Sequence, residues 1–588
     1  MSLVTQLGDV VGAAFADLGL DRSLGKVVPS QRPELADFQC NGAMAAAKRA
    51  GRAPRDIATD VVARLEDVPM LATVDVAGPG FINLTVTDAV LANTIESMHK
   101  DERAGLPSSE ERQTVVVDYA GPNVAKAMHV GHLRATIIGD SLARIMEAIG
   151  HRVIRDPHFG DWGFQMGLLV TELEDQYPGL PYFEDPLPET FPQESPVTLE
   201  DLQTLYPRAS ERASSDDSFA QRAREATVRL QNGHRGYMAL WHHMKRVSEE
   251  SQRADFAALG VEFDLWYGES DVRDRIPSMI EALRESGAAV ESEGALIIPV
   301  ATEDDNRDIP PLILTTSSGG YLYSTTDLAT IEFRVKDIGA DLILYVVDSR
   351  QANHFTQVFR AARKGGIAPP ALTMEHIGFG TMNGPDGKPF RTREGGVVRL
   401  ADLISMVKSA AKQRLDEAEM AAEYPEEERD AIAAKVGIAA LKFGDLINNR
   451  TSDYMLDLDR FTSFEGKTGP YLQYAAVRMG SILRRAGDMG LSSGAIVGTE
   501  VPVERFLHLE LTNLPEVVMR AATLRAPNHL ADYAFSLSGS FNRFYDVCHI
   551  LSEEDATIRS SWLGLVETCE RSLRLVLGML GIEVPPRM

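Results

Sequence analysis

At 588 residues the chain exceeds what one hydrophobic core organises, so two to four domains are expected from a composition, 44% hydrophobic and 24% charged, that is ordinary for globular proteins. Lys and Arg total 59 against 85 Asp and Glu, a net charge of -26, which excludes a protein that coats nucleic acid with its whole surface and restricts any RNA contact to local patches. Cys40, Cys548 and Cys569 show no CxxC or Cys/His metal spacing, so free thiols in a reducing compartment without structural zinc are expected.

In chain order, residues 1–20 lack a basic leader and read as an amphipathic helix rather than a secretion signal. A strand-like piece, Ala77–Val86, follows, with Gly78-Pro79-Gly80 at its start, so residues 1–105 are expected to form a small α+β domain. Thr114–Asp118 is a β-branched run followed by a Gly/Pro/Asn loop and a helix from about Gly131 to Ile149, the strand-loop-helix opening of a Rossmann-like parallel α/β sheet. This domain is expected over 106–400, with an insertion around 175–260 that begins as a Pro- and acid-rich linker and continues as helices. Ala295–Ile298, Tyr321–Tyr323 and Leu342–Val347 read as further strands. Residues 401–588 read as an all-α bundle, with helices at Leu403–Met420, Glu428–Ile447, Pro470–Ala486 and Glu567–Leu580. The longest apolar stretches, such as Ala340–Val347, fall well short of the roughly 18 residues of a membrane span, so a soluble, cytoplasmic protein without a membrane partner is expected. No internal repeat is visible.

The loop Gly121–His132 reads GPNVAKAMHVGH. Two histidines flank Gly131 where a helix begins, so imidazole donors, a close backbone and the positive helix end converge, as a phosphate requires. The plainer alternative is a helix cap with two surface histidines. Gly387–Arg393 is a glycine-started loop with three cations, Lys388, Arg391 and Arg393, able to neutralise phosphate charge or simply to sit in solvent. Asp327, after Tyr323 and close to a helix start, suits either a ligand-binding carboxylate or an N-cap. His354 reads equally as a helix-surface residue, and Trp162 in Gly160-Asp161-Trp162-Gly163 as core packing.

The His129-Val130-Gly131-His132 signature resembles that of the class I aminoacyl-tRNA synthetases, and Pro122–Arg134 looks specifically like the arginyl branch. The resemblance continues through Gly160–Gly163, Tyr321–Ala329, Ser463–Tyr471 and the terminal Leu580–Met588, nearly the whole chain. It implies ATP-dependent ligation of L-arginine to tRNA(Arg) by way of an arginyl-adenylate, with ATP used as its Mg2+ complex, no tightly bound cofactor, no metal-ligating residues, and a monomer. His129, Gly131 and His132 would then hold the ATP phosphates. The second class signature, Lys-Met-Ser-Lys-Ser, is absent, and the resemblance hands its work to Lys126, shared in an undetermined way with Lys388 or Arg391. It carries Gly121, Pro122, Asn123, His132, Glu269, Tyr323, Asp327 and Gln351 to the arginine pocket and His354 to the nucleotide. It further implies that tRNA is bound before arginine is activated, with the amino-terminal domain at the tRNA corner and the helical domain on the anticodon loop. Lys48, Arg49, Arg52 and Arg55, and Lys467, Arg478, Arg484 and Arg485, are the basic groups placed for this, or else solvated helix faces. Two rivals are a noncatalytic RNA-binding homologue and an enzyme that passes its adenylate to another acceptor. The intact polar set Lys126, His129, His132, Tyr323 and Asp327 counts against the first, and the full-length helical domain against the second.

Overall fold

The computed structural model describes every residue except Met1, Gln31, Ser318, Pro385, Asp386, Lys388, Pro389, 391–397 and Glu500. The chain divides into two compact units: Met1–Ser109, Lys412–Phe443 and Arg460–Met588 form one, and Glu110–Ala411 with Gly444–Asp459 the other.

The second unit is built on a four-stranded parallel sheet. Its spatial order is Thr373–His376, Leu342–Val346, Thr114–Tyr119, Arg152–Asp156. All-parallel strands are covered on both faces, and Leu342–Val346 is accordingly buried throughout. The strand order reverses between Thr114–Tyr119 and Leu342–Val346, so the loops leaving these two strands part there and open a crevice. Helix Val130–Ala148 packs on Thr114–Tyr119 so closely that a Cβ on Gly139 would lie 2.2 Å from the Tyr119 ring. A core of Val116, Ile343, Leu328, Ile331 and Val358 fills the layer against helices Tyr323–Phe333 and Ala352–Lys364. The insertion is three helices, Leu199–Ser215, Asp217–Gln231 and Arg235–Ala258, sharing a core with Trp162, Met166 and Leu169. The segment 444–459 returns to this unit, where buried Arg134 bonds Asp445 at 3.0 Å and strand Tyr454–Met455 pairs with Met382–Asn383.

The other unit joins an amino-terminal α+β layer to the late helices. A four-stranded antiparallel sheet, Val27–Pro29, Phe38–Cys40, Phe81–Val86, Leu71–Ala77, packs on helices Leu3–Ala16 and Pro54–Leu65. Arg505 of helix Pro502–Thr512 reaches into this layer, bonding Asp37 at 2.6 Å and the Val86 carbonyl at 2.9 Å. All three cysteines are free and buried. Among the described residues no helix is long and apolar enough to cross a membrane.

Several local expectations are corrected. Ala77–Val86 is the turn and second arm of a hairpin whose first arm, Leu71–Ala77, is only partly buried and lacks a clean alternation. Strands Val27–Pro29 and Phe38–Cys40 are three residues each, too short to carry a period. Tyr321–Tyr323 is no strand: Tyr321 makes one bridge to Thr315, and Tyr323 begins helix Tyr323–Phe333. That helix is held to the preceding strand by Ser324 and Thr325 hydroxyls donating to the Ile313 and Leu314 carbonyls, so its β-branched residues serve tertiary contacts. Asp327 therefore lies in the second turn, and Leu322, without a side-chain cap, holds the N-cap position. The last helix starts at Ala556, well before Glu567, because Asp555 caps it through Thr557 and Ile558.

Candidate functional site

The crevice at the strand-order reversal holds a cavity of about 580 Å³ lined by Asp118, Gly121, Asn123, His129, Gly131, His132, Gln351 and Phe390, among others. His129 is the N-cap of helix Val130–Ala148. Its Nδ1 accepts the Gly131 N–H at 3.0 Å, and the Nδ1 of His132 accepts the His129 N–H at 3.1 Å. The two rings lie 4.0 Å apart. Burial, followed by the nearby Lys126 ammonium, lowers the His129 pKa, and burial with the neighbouring His129 pushes His132 down to about 3. Both imidazoles are then neutral near pH 7. With Nδ1 committed as acceptor, each carries its proton on Nε2 as a donor. Capping therefore selects the tautomer that leaves Nε2–H on both rings as a donor. Gly131 is needed because a Cβ there would stand 2.7 Å from the His129 ring. The strand-like bridge from His129 to Arg399 pins the signature from the other side.

The loop between strand and signature is fixed by its backbone. Gly121 N–H donates to Pro157 O at 3.1 Å, Gly160 N–H to Pro122 O at 3.1 Å, and Val124 N–H to Gly160 O at 3.0 Å. A side chain on Gly160 would strike the Asn123 amide oxygen at 2.3 Å, which ties the Gly160–Gly163 turn to the position of Asn123. Asp161 of that turn is fully buried, accepting from Ser270 N and Oγ at 2.9 and 2.7 Å and from Lys245 at 2.8 Å. Trp162 packs edge-on against Trp241.

Glu269, Tyr323, Trp162 and Phe164 line a neighbouring, mainly apolar cavity of about 320 Å³. Burial, and then the like charge of Asp161, pushes the Glu269 carboxyl up to about 7, although it accepts the Trp162 N–H at 3.2 Å. Asp327 bonds His354 Nε2 at 2.6 Å, and the His354 ring lies 4.7 Å from that of Tyr323. His354 thus stands beside Asp327 and Tyr323 and is not part of the lining of the 580 Å³ cavity. Lys126 also stays off that lining, its ammonium 4.1 Å from the centre of the Tyr206 ring on the insertion. Lys388 and Arg391 lie outside the described residues, whereas Phe390 between them lines the cavity. Among the described residues no group of three or more His, Cys, Asp or Glu could hold a metal ion.

Asp118 and Arg334 went unmarked in the sequence. Asp118 lies beside Asp156 across the sheet, and the fully buried Arg334 bonds their carboxylates at 2.6 and 2.7 Å. Burial raises the Asp118 pKa and Arg334 opposes the rise. A single acidic residue closing the apolar run Thr114–Val117 was the available signal. Of the basic patches, Arg52 is paired with Asp60 and Arg55 with the Gly78 carbonyl. Lys467 pairs with Asp532, Arg478 lies 4.2 Å over the Tyr545 ring, and Arg484 and Arg485 are exposed.

A histidine pair around glycine, set at the helix start over the reversal point of a parallel sheet, matches the architecture of a class I aminoacyl-tRNA synthetase. The description "tRNA synthetases class I (R), catalytic domain" matches residues 94–458, "DALR anticodon binding domain" matches 472–588, and "Arginyl tRNA synthetase N terminal domain" matches 5–86. Relatives called "Arginine--tRNA ligase" from Maricaulis maris and Alkaliphilus oremlandii are 49% and 47% identical, each comparison covering 100% of both chains. The crystal structure of arginyl-tRNA synthetase from Plasmodium falciparum has the same fold, with a TM-score of 0.82 at 22% identity over 100% of this chain and 99% of that one. The chain belongs to the arginyl-tRNA synthetase family.

Proposed function

We infer that the chain performs its family's reaction, joining L-arginine to tRNA(Arg) at the expense of ATP through an arginyl-adenylate. The observation that carries the residue assignment is the neutral His129–His132 pair, locked by its own capping bonds with both Nε2–H donors free, over the cavity at the sheet's reversal point. ATP enters as its Mg2+ complex, the metal travelling with the substrate phosphates. His129, His132 and the backbone at Gly131 receive the phosphates at the positive end of the helix. The arginine carboxylate attacks the α-phosphorus; a new P–O bond forms as the α–β bridge breaks and pyrophosphate leaves. A terminal ribose hydroxyl of the tRNA then attacks the activated carbonyl, releasing AMP. No protein nucleophile is needed, so rate comes from positioning and charge stabilisation.

Asn123 and Gln351 at the cavity, with Tyr323, Asp327 and Glu269 beside it, supply the arginine site, to which Asp118 is added. Carboxylates suit a planar guanidinium fork, and a buried cation requires them. Lys126, drawn from Tyr206 by the incoming triphosphate, shares the pyrophosphate side with Lys388 or Arg391. His354 acts at this site by holding Asp327. The amino-terminal layer and the helical domain contact tRNA, binding of which precedes activation; the enzyme is a cytoplasmic monomer. Pyrophosphate exchange into ATP, with each of the twenty amino acids, with and without tRNA, tests the reading. Exchange with arginine alone and only with tRNA supports it, and exchange with another amino acid overturns the carboxylate assignment.

A further inference from the structure

We propose that His158 is a specificity-determining residue of the arginine site, an inference that rests on the arginine reading above. His158 follows the edge strand Arg152–Asp156 and has a left-handed backbone, φ 36°. Its neighbours fix it from both sides. The carbonyl of Pro157 accepts the Gly121 N–H at 3.1 Å, and the carbonyl of Phe159 accepts the Glu269 N–H at 3.0 Å. The His158 N–H itself donates to Asp156 Oδ1 at 3.2 Å. Residue 158 is therefore clamped between the glycine loop of one cavity and the Glu269 turn of the other. Both ring nitrogens are buried, yet neither has a hydrogen-bond partner. Such atoms call for a partner that the surrounding side chains do not supply.

The charged groups around the ring are Asp118 of the central strand, Asp156 of its own strand, Glu269 of the adjoining turn, and Arg334, which bonds Asp118 and Asp156. Two of these carboxylates are already engaged by Arg334. A guanidinium brings five N–H donors, so it has use for an acceptor beyond the carboxylates. One His158 ring nitrogen accepts one of these donors while the N–H on the other bonds a carboxylate oxygen. The site thus reads arginine through an imidazole acceptor as well as through charge, which a compact ammonium would use poorly.

The test is aminoacylation by the full-length enzyme with tRNA present, measuring KM for arginine and for ATP separately. His158→Asn keeps a residue tolerant of left-handed backbone but is too short to place an acceptor where the ring nitrogens stand. It should raise the arginine KM about tenfold, as loss of one hydrogen bond to a charged group does, leaving the ATP KM unchanged. His158→Lys, which sets a fixed cation at the site, should raise the arginine KM further. KM does not depend on how much enzyme folds, so partial unfolding does not imitate these results. An arginine KM equal to the wild type's in His158→Asn, or an equal rise for ATP, would overturn the proposal. If Asp327→Asn also leaves the arginine KM unchanged, the arginine-site reading itself has failed; if Asp327→Asn raises it and His158→Asn does not, only the present inference has.

Discussion

Glu269→Gln should make the empty enzyme more stable and the working enzyme worse. The carboxyl titrates at about 7 in the fold instead of 4.5, chiefly because it is buried, with Asp161 adding like charge. The folded state thus holds the proton more tightly than the unfolded state. Stability from this group is complete below pH 4.5 and is lost as pH rises to about 7. At ~1.4 kcal/mol per pH unit the ionised form costs the fold about 3 kcal/mol, which partial solvent access reduces to about 2 kcal/mol. Glutamine keeps the shape and an acceptor for the Trp162 N–H without the charge. In thermal melts without substrate the variant should therefore gain roughly 2–4 °C near pH 8, the gain shrinking to nothing as pH approaches 4.5. Aminoacylation should show the opposite sign, with the arginine KM raised on the order of tenfold to a hundredfold. Equal melting near pH 8, or a gain that does not vary with pH, would refute the account of Glu269 as a carboxyl whose ionisation costs the empty fold.

His129→Ala should lower kcat/KM for ATP by about a hundredfold or more, since it removes both a phosphate donor and the cap that orients the helix start; unchanged turnover in pyrophosphate exchange would exclude the phosphate assignment. Arg334→Met leaves Asp118 and Asp156 buried without their partner and should cost about 3–5 kcal/mol in chemical denaturation, with Asp118→Asn in the same chain recovering part of it. His132, pushed down to about 3, refuses the proton that the unfolded chain accepts near pH 6.5, so the fold should lose up to ~1.4 kcal/mol per pH unit from this group below that point, and His132→Gln should flatten the acid limb of the melting curve. Gly139→Ala should fail to accumulate as folded protein, because the added methyl meets the Tyr119 ring at 2.2 Å; normal expression and melting would show that helix and strand can part.

What the sequence made legible follows the reach of local physics. The strand Thr114–Tyr119, the signature helix and the helix Gly469–Asp488 carry strong periods over many residues and stand where their patterns put them, whereas the last helix begins at Ala556, eleven residues before its predicted start. The three-residue strands of the amino-terminal sheet carry no period, and Tyr321–Tyr323 has strand composition but is drawn into a helix by hydroxyl bonds to a strand earlier in the chain. At the site, the spacing of histidines and glycine in GPNVAKAMHVGH raises the expectation of a phosphate site beside the plainer one of a helix cap, and the cap is what the bonds of His129 and His132 form. The bonds from Arg334 to Asp118 and from His354 to Asp327 join residues 216 and 27 positions apart. No local pattern encodes such pairs, and that is why Asp118 and His158 emerge only in three dimensions.

The three cysteines have a practical consequence for anyone wishing to watch this enzyme move. Burial raises the pKa of the Cys40 and Cys569 thiols and pushes that of Cys548 up to about 12, so all three are withheld as thiolates near neutral pH. A maleimide dye should therefore ignore the native protein. A cysteine placed at exposed Arg484 or at exposed Tyr177 becomes the single address for a fluorophore, and changes in its emission on binding tRNA can be followed without first stripping the chain of its own sulfur.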